Sequence, residues 1–184
     1  MIEKSFFAGF GGQGIISLGQ IWVYCGLKEG KNVSFFPAYG AEKRGGASQA
    51  NVVVSSGEIA SPLVNEADSA VAMSAEALPV CERALKQGGI LLANSSLIKE
   101  KPSRKDIRLF YLPLQDIAQK IGGARFTNMA ALGALARLTG ALALNKIENI
   151  LQTYFTNDKH KFLPLNISAI RAGFDAAETA LTPA

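Results

Sequence analysis

Cysteine is nearly missing from this chain of 184 residues, in which Cys25 and Cys81 stand far apart and outside any CxxC. Cysteine alone therefore builds neither a disulfide framework nor a zinc or iron-sulfur site, and the expectation is two buried apolar thiols in a reducing cytosol. Histidine is scarcer still: His160 lies in the polar stretch Asn157-Asp158-Lys159-His160-Lys161, which reads as a solvated loop. No GxSxG elbow, GxxxxGKS/T loop or HExxH occurs, so hydrolase, NTPase and zinc-protease readings lack their usual residues. No catalytic residue and no metal ligand is assigned. Long apolar runs are also absent. The most apolar stretch, 129–144, is broken by Arg137, Thr139 and two glycines and is shorter than the roughly 20 residues a membrane span needs. Met1-Ile2-Glu3-Lys4 leads straight into a strand-like segment without the pattern of a signal peptide. The expectation is a soluble cytoplasmic protein with no membrane partner.

What is present suits one globular unit. A chain of this length buries roughly 70% of its unfolded surface, enough for one sizeable core. Repeats, low-complexity segments and a Ser/Pro-rich linker are missing, so 1–184 is expected to be a single domain. The net charge of +4 comes from scattered basic residues. Nucleic-acid binding would need a clustered basic face and is not expected, whereas a phosphate-bearing ligand or an acidic partner protein would suit this balance.

Ser5-Phe6-Phe7-Ala8 reads as a strand running into Gly9-Phe10-Gly11-Gly12-Gln13-Gly14, after which apolar residues recur at helical spacing up to Leu27. Gly30 ends that helix and residues 33–36 form a second strand, so the first 37 residues read as one parallel βαβ unit. Residues 47–55 alternate as a strand, Ser56-Gly57 is a hairpin signal, and 58–60 would be its return strand. Strands then follow at 69–73, 89–94 and 107–112, with helices at 76–87 and 114–121; Asp68 and Asn94 sit at strand ends. From Asn128 the chain is helical, with small residues around Gly133 making a thin helix able to approach a neighbour, then helices at 147–155 and 167–180. The fold class is α/β: a Rossmann-like, mostly parallel sheet with an antiparallel hairpin insertion and a helical C-terminus.

The spacing Gly9-x-Gly11-x-x-Gly14 between strand and helix fits a phosphate site, since glycines permit a tight turn and a helix N-terminus offers free N–H groups. Nicotinamide or flavin dinucleotides would also want an acid after the second strand, where Phe35-Phe36-Pro37 stands instead. A different phosphate or acidic ligand and a purely structural turn stay open. The second unusual segment is Tyr39-Gly40-Ala41-Glu42-Lys43-Arg44-Gly45-Gly46, an aromatic and a fixed cation in a glycine-bracketed loop expected beside the glycine turn. It reads as a ligand loop, a docking surface for another subunit, or a plain chain reversal.

Both segments, with the strand 47–55, Ile59-Ala60-Ser61-Pro62 and Thr127-Asn128-Met129-Ala130-Ala131-Leu132-Gly133, resemble the gamma subunits of 2-oxoacid:ferredoxin (acceptor) oxidoreductases in order, spacing and length. The resemblance implies a complex that oxidatively decarboxylates a 2-oxoacid to an acyl-CoA. Alpha and beta subunits, and a ferredoxin-like delta subunit, would then carry thiamine diphosphate, magnesium and iron-sulfur clusters, none of them bound by this chain alone. The isolated chain would be inactive, and a homodimer is one state it could take. Coenzyme A, as cosubstrate, would have its phosphates at Gly9, Gly11, Gly12, Gln13 and Gly14. Tyr39, Gly40, Glu42, Arg44, Gly45 and Gly46 would form the partner or ligand loop. The form of that loop is most similar to 2-oxoglutarate enzymes, with pyruvate, 2-oxoisovalerate or indolepyruvate as alternatives. The rival of another class is a standalone phosphate-ligand-binding Rossmann-like protein.

Overall fold

The structure is a computed structural model describing residues 1–40 and 46–182; Glu42, Arg44 and Gly45 of the expected ligand loop lie outside the described residues. Six strands form one sheet: β1 (Ile2–Phe10), β2 (Asn32–Tyr39), β3 (Ala47–Ser55), β4 (Ala67–Ala72), β5 (Leu85–Asn94) and β6 (Arg108–Leu112). Their order is β2-β3-β1-β4-β5-β6. β1, β4, β5 and β6 run parallel, while β3 runs antiparallel to both β1 and β2. The mostly parallel α/β sheet with an antiparallel insertion is as expected.

Two details of that insertion differ. The β1–helix–β2 segment does not pair its own strands, because β3 is inserted between them, with Phe7 opposite Ala50 and Val52 opposite Phe35. The hairpin also closes at the other end of β3, with Tyr39 opposite Ser48 and Gly40 N–H donating to Ala47 O at 2.7 Å. Residues 58–60 are not a strand. The Ser56 N–H instead donates to Met1 O at 2.9 Å, and the chain crosses to β4 on the far side of β1. Alternation along 47–55 shows only that the strand has two faces; it does not choose the neighbour. Pro37 lies within β2 at the sheet edge, where a missing N–H is tolerated.

The helices are α1 (Ile15–Lys28), α2 (Ala77–Ala84), α3 (Leu114–Ile121), α4 (Thr127–Thr139), α5 (Leu144–Tyr154) and α6 (Leu163–Leu181), with 3-10 turns at Ala124–Phe126 and Asn157–Phe162. α2 stops short of the expected 87 because the chain is already extended from Leu85. The strands bury both faces, which gives two apolar layers. The larger layer joins Phe7, Val52, Val71 and Leu92 to Trp22 of α1 and Leu132 of α4, and the smaller joins Phe6, Ala70 and Leu91 to Leu78 and Cys81 of α2.

α4 and α6 pack backbone to backbone. A Cβ at Gly133 would land on the Ile170 carbonyl, and one at Gly173 on the Ala130 carbonyl. The thin helix expected from the small residues around Gly133 thus has its neighbour, and the contact fixes how closely the C-terminal helix seats on the sheet. Among the described residues no helix is long and apolar enough to cross a membrane.

Candidate functional site at the carboxyl ends of the parallel strands

The sheet places the first glycine segment where the chain order diverges, β3 lying on one side of β1 and β4 on the other. Open α/β sheets form their ligand crevice at this point, outside the carboxyl ends of the strands. Gly9 is the buried penultimate residue of β1. Gly12 and Gly14 take φ of +96° and +76°, in the left-handed region that costs a side chain about 1 kcal/mol or more. They differ in what surrounds them. A Cβ on Gly14 would sit 2.6 Å from Asn128 Nδ2, whereas one on Gly12 would meet nothing within 4 Å. Gly14 is therefore required by packing as well as by backbone angle, and Gly12 is open at the surface.

Gln13 braces the turn from inside. Its Oε1 accepts the Phe10 N–H at 2.7 Å and its Nε2 donates to Met73 O at 3.0 Å, tying the end of β1 to the residue that follows β4. The Gln13 N–H donates to Phe10 O, and the Gly11 N–H to Gly46 O at 3.0 Å. The last bond joins the two segments singled out in the sequence. Among the described residues no backbone carbonyl accepts the Gly12 N–H. The first-turn N–H groups of α1 likewise point out of the helix without intrahelical partners. The turn presents several donors and the positive end of a helix dipole.

A cleft of about 270 Å³ opens beside this turn, lined by Gly12, Gln13, Met73, Asn94, Gln115 and Thr127, with Ala124 and Arg125 at its rim. Asn94, the last residue of β5, is fully buried; its Oδ1 accepts the Gln115 N–H at 3.3 Å, but its Nδ2 has no partner. Leaving a buried amide N–H unpaired costs about 1–3 kcal/mol. On the other side of the α1 N-terminus lies a second cleft of about 330 Å³, whose walls include Ser17, Asn128, Phe126, Tyr154 and Phe162. The Arg125 guanidinium lines both clefts, 4.9 Å from the Phe126 ring centroid and 4.4 Å from that of Phe162.

The residues expected at the site thus separate. Gly12 and Gln13 line the polar cleft, Gly9 and Gly14 shape the turn, and Gly11 spends its N–H on Gly46. Tyr39 is exposed at the end of β2, and Gly40 and Gly46 flank the undescribed residues of the loop. Gln115 and Arg125 were not singled out by the sequence, and Asn94 was noted only as a strand end. A polar residue ending a parallel strand is the one signal that pointed to it.

Neither thiol lines these clefts. Burial and the neighbouring Glu29 push Cys25 up to about 12, and burial raises Cys81 as well. Among the described residues no group of three His, Cys, Asp or Glu side chains converges to hold a metal ion.

The family model described as pyruvate ferredoxin/flavodoxin oxidoreductase matches residues 4–176. The chain is 33% identical over 171 residues to ketoisovalerate oxidoreductase subunit VorA of Methanothermobacter marburgensis, a match that takes in 92% of this chain and 35% of that protein. It thus spans about a third of that relative's length. The crystal structure of a keto/oxoacid ferredoxin oxidoreductase gamma subunit from Geobacter sulfurreducens is similar over 96% of this chain and 99% of its own, with 30% identity and a TM-score of 0.83. The 2-oxoglutarate:ferredoxin oxidoreductase of Magnetococcus marinus, solved with 2-oxoglutarate, coenzyme A and succinyl-CoA bound, is similar over 100% of this chain and 32% of its own, at 26% identity and a TM-score of 0.88.

Proposed function

The chain belongs to the pyruvate ferredoxin/flavodoxin oxidoreductase family, and from that premise we propose that it is the gamma subunit of a cytoplasmic 2-oxoacid:ferredoxin oxidoreductase. The observation that carries this reading is the end-to-end similarity to a chain of the same extent, the Geobacter sulfurreducens gamma subunit. The reaction is oxidative decarboxylation. A 2-oxoacid and coenzyme A give an acyl-CoA, carbon dioxide and a proton, and the electron pair passes to an iron-sulfur acceptor. Thiamine diphosphate, held by alpha and beta subunits, would supply the decarboxylation chemistry.

This chain's own contribution is to bind and orient the phosphate-bearing cosubstrate. The open Gly12 and the Asn94 side chain line one cleft, which opens beside the turn that leads into α1. The open backbone at Gly12 beside the start of α1 suits an anionic group such as a coenzyme A phosphate. The 2-oxoacid is proposed to be 2-oxoglutarate, recognised by the partner chains. The Magnetococcus marinus enzyme supports that substrate and the ketoisovalerate relative supports a branched-chain one.

Two measurements test this. Affinity purification of the chain from native lysate should bring down a thiamine-binding partner, and the recovered complex should reduce a dye in the presence of 2-oxoglutarate and coenzyme A. Substrate-dependent dye reduction by the pure chain alone would refute the division of labour. Faster turnover with 2-oxoisovalerate or pyruvate would replace the substrate.

A further inference from the structure

Parallel strands are usually joined by a helix, but the connection from β5 to β6, residues 95–107, contains none. It runs back over the smaller apolar layer as an extended strap and is tied down along its length. Ile98 is buried in that layer, and the buried Glu82 of α2 accepts the Ser103 hydroxyl at 3.0 Å and the Arg104 N–H at 2.9 Å. The Arg104 guanidinium donates to the Glu82 and Leu85 carbonyls at 2.8 and 2.6 Å and pairs with Asp106, whose carbonyl accepts the Gly88 N–H at 2.7 Å. Arg104 thus spends its charge on holding the strap.

The other cations of this region do not. Lys99, Lys101 and Lys105 of the strap, Arg83 in the last turn of α2 and Arg108 at the start of β6 are exposed, and none forms an ion pair among the described residues. The acids close by are engaged: Glu82 and Asp106 by the strap, and Asp68 by Lys86. Glu100 is the exposed exception, its Oε2 accepting the Lys99 N–H at 3.0 Å. The opposite layer neutralises itself, with Arg137 paired to Glu178 and Arg171 to Glu148. The unpaired positive charge therefore collects on one rigid strap beside β6, the edge of the sheet.

We propose that the strap is a docking surface for a transiently bound acidic protein, the protein electron acceptor of the reaction. This rests on the reading of the chain as a subunit of a 2-oxoacid:ferredoxin oxidoreductase and adds the surface that recruits the acceptor. Three physical arguments set the choice. Lysine is depleted from the cores of permanent interfaces, so a surface of exposed lysines suits an encounter better than a fixed subunit contact. Complementary charge steers such encounters and raises their on-rate. A strap already fixed by Arg104 and Glu82 pays little backbone entropy when a partner lands on it. A single nucleic-acid strand would ask for exposed rings to stack on, and Phe110 and Tyr111 of β6 are half-buried.

The test uses the assembled complex, with an acidic ferredoxin and a small viologen dye as alternative acceptors at saturating 2-oxoacid and coenzyme A. Reversing two charges together, Lys101→Glu with Lys105→Glu, is expected to raise the KM for ferredoxin at least about tenfold at low ionic strength. Dye turnover should stay at the parent value. The difference should vanish near 1 M salt, where charges are screened beyond about 3 Å. Lys146→Glu, an exposed reversal on the opposite layer, should leave the ferredoxin KM within about twofold of the parent. If the double reversal lowers the Tm of the complex, Lys101→Gln with Lys105→Gln carries the same test with a smaller rise. An unchanged ferredoxin KM with dye turnover intact overturns the docking surface and leaves the proposed function standing. An equal rise with Lys146→Glu would reduce the effect to net charge, and loss of assembly would make the strap a permanent subunit contact; either overturns the inference. So would binding of an oligonucleotide that needs these lysines while the ferredoxin KM ignores them. A complex that reduces neither acceptor with any 2-oxoacid brings down the proposed function and the inference with it.

Discussion

Gly11 donates its backbone N–H to the Gly46 carbonyl at 3.0 Å, so the turn that starts α1 and the far end of the β2–β3 connection are held together by main chain alone. No side chain is needed for this contact, and substitution at position 11 or 46 leaves its donor and acceptor in place unless the backbone itself moves. The adjoining glycines are different, because at positions 12 and 14 the conformation is the constraint.

Gly12→Ala and Gly14→Ala should separate binding from folding. Each places an alanine in the left-handed region, at a cost of about 1–2 kcal/mol. In a chain of this size about 1 kcal/mol lowers Tm by roughly 2–4 °C. Gly14→Ala also drives a methyl to 2.6 Å from Asn128 Nδ2, whereas Gly12→Ala enters open space. Thermal denaturation should therefore show the larger loss for position 14. Equal losses would mean that Asn128 does not support the turn.

Glu3 makes stability depend on pH at the opposite end of the sheet. Its carboxylate is buried, accepts the Ser69 hydroxyl at 2.7 Å and that of Ser5 at 3.4 Å, and burial raises its pKa from 4.5 to about 7 against those bonds, with Asp68 pushing the same way and Lys86 opposing. Because the folded pKa exceeds the unfolded one, the native state holds a proton the unfolded chain has released. Stability is highest below pH 4.5, falls as pH rises to about 7 and is flat beyond, a loss on the order of 3 kcal/mol. Glu3→Gln keeps an acceptor for Ser69 and should abolish this slope, leaving the variant more stable than the parent at pH 8 in urea titrations. An unchanged slope would place the titration elsewhere.

Gly133→Ala is expected to destabilise by about 3 kcal/mol or more, because the added methyl meets the Ile170 backbone carbonyl, which cannot rotate away. Urea denaturation of the variant measures it. A loss below about 1 kcal/mol would mean that α6 slides freely on α4.

This close approach was legible in the sequence, since a run such as Ala130-Ala131-Leu132-Gly133-Ala134 has little use in a helix except to let another one near. The glycine turn was legible for the same kind of reason: positive φ leaves few choices of residue. Strand neighbours were not, because the alternation of Val52 and Val54 with Val53 says which face each side chain takes and nothing about β1 or β2. The polar cleft was least legible. Asn94, Gln115 and Arg125 come from a strand end, a helix and a 3-10 turn, and only the packing of α3 and α4 on the sheet brings them to Gly12.

Arg44 carries the last prediction, which rests on sequence and on the anchored ends of its loop. On one side Gly40 N–H donates to Ala47 O at 2.7 Å, and on the other Gly46 O accepts from Gly11 N–H. The two described residues that bracket Arg44 in the sequence, Gly40 and Gly46, are therefore both tied to backbone beside the glycine turn. Arg44 is proposed to pair with a carboxylate or phosphate presented by a partner subunit, an arrangement in which the planar guanidinium makes two bonds that lysine cannot reproduce. Removing one member of a desolvated charge pair at an interface costs about 2–5 kcal/mol, enough to weaken association at least about tenfold. Arg44→Ala and Arg44→Lys should both leave the Tm of the free chain unchanged while lowering assembly of the complex and its turnover, with Lys rescuing little. Full assembly and turnover with Ala at position 44 would refute the pairing. A collapse of the free chain would instead make Arg44 a residue satisfied within its own fold, and the docking role would fall with it.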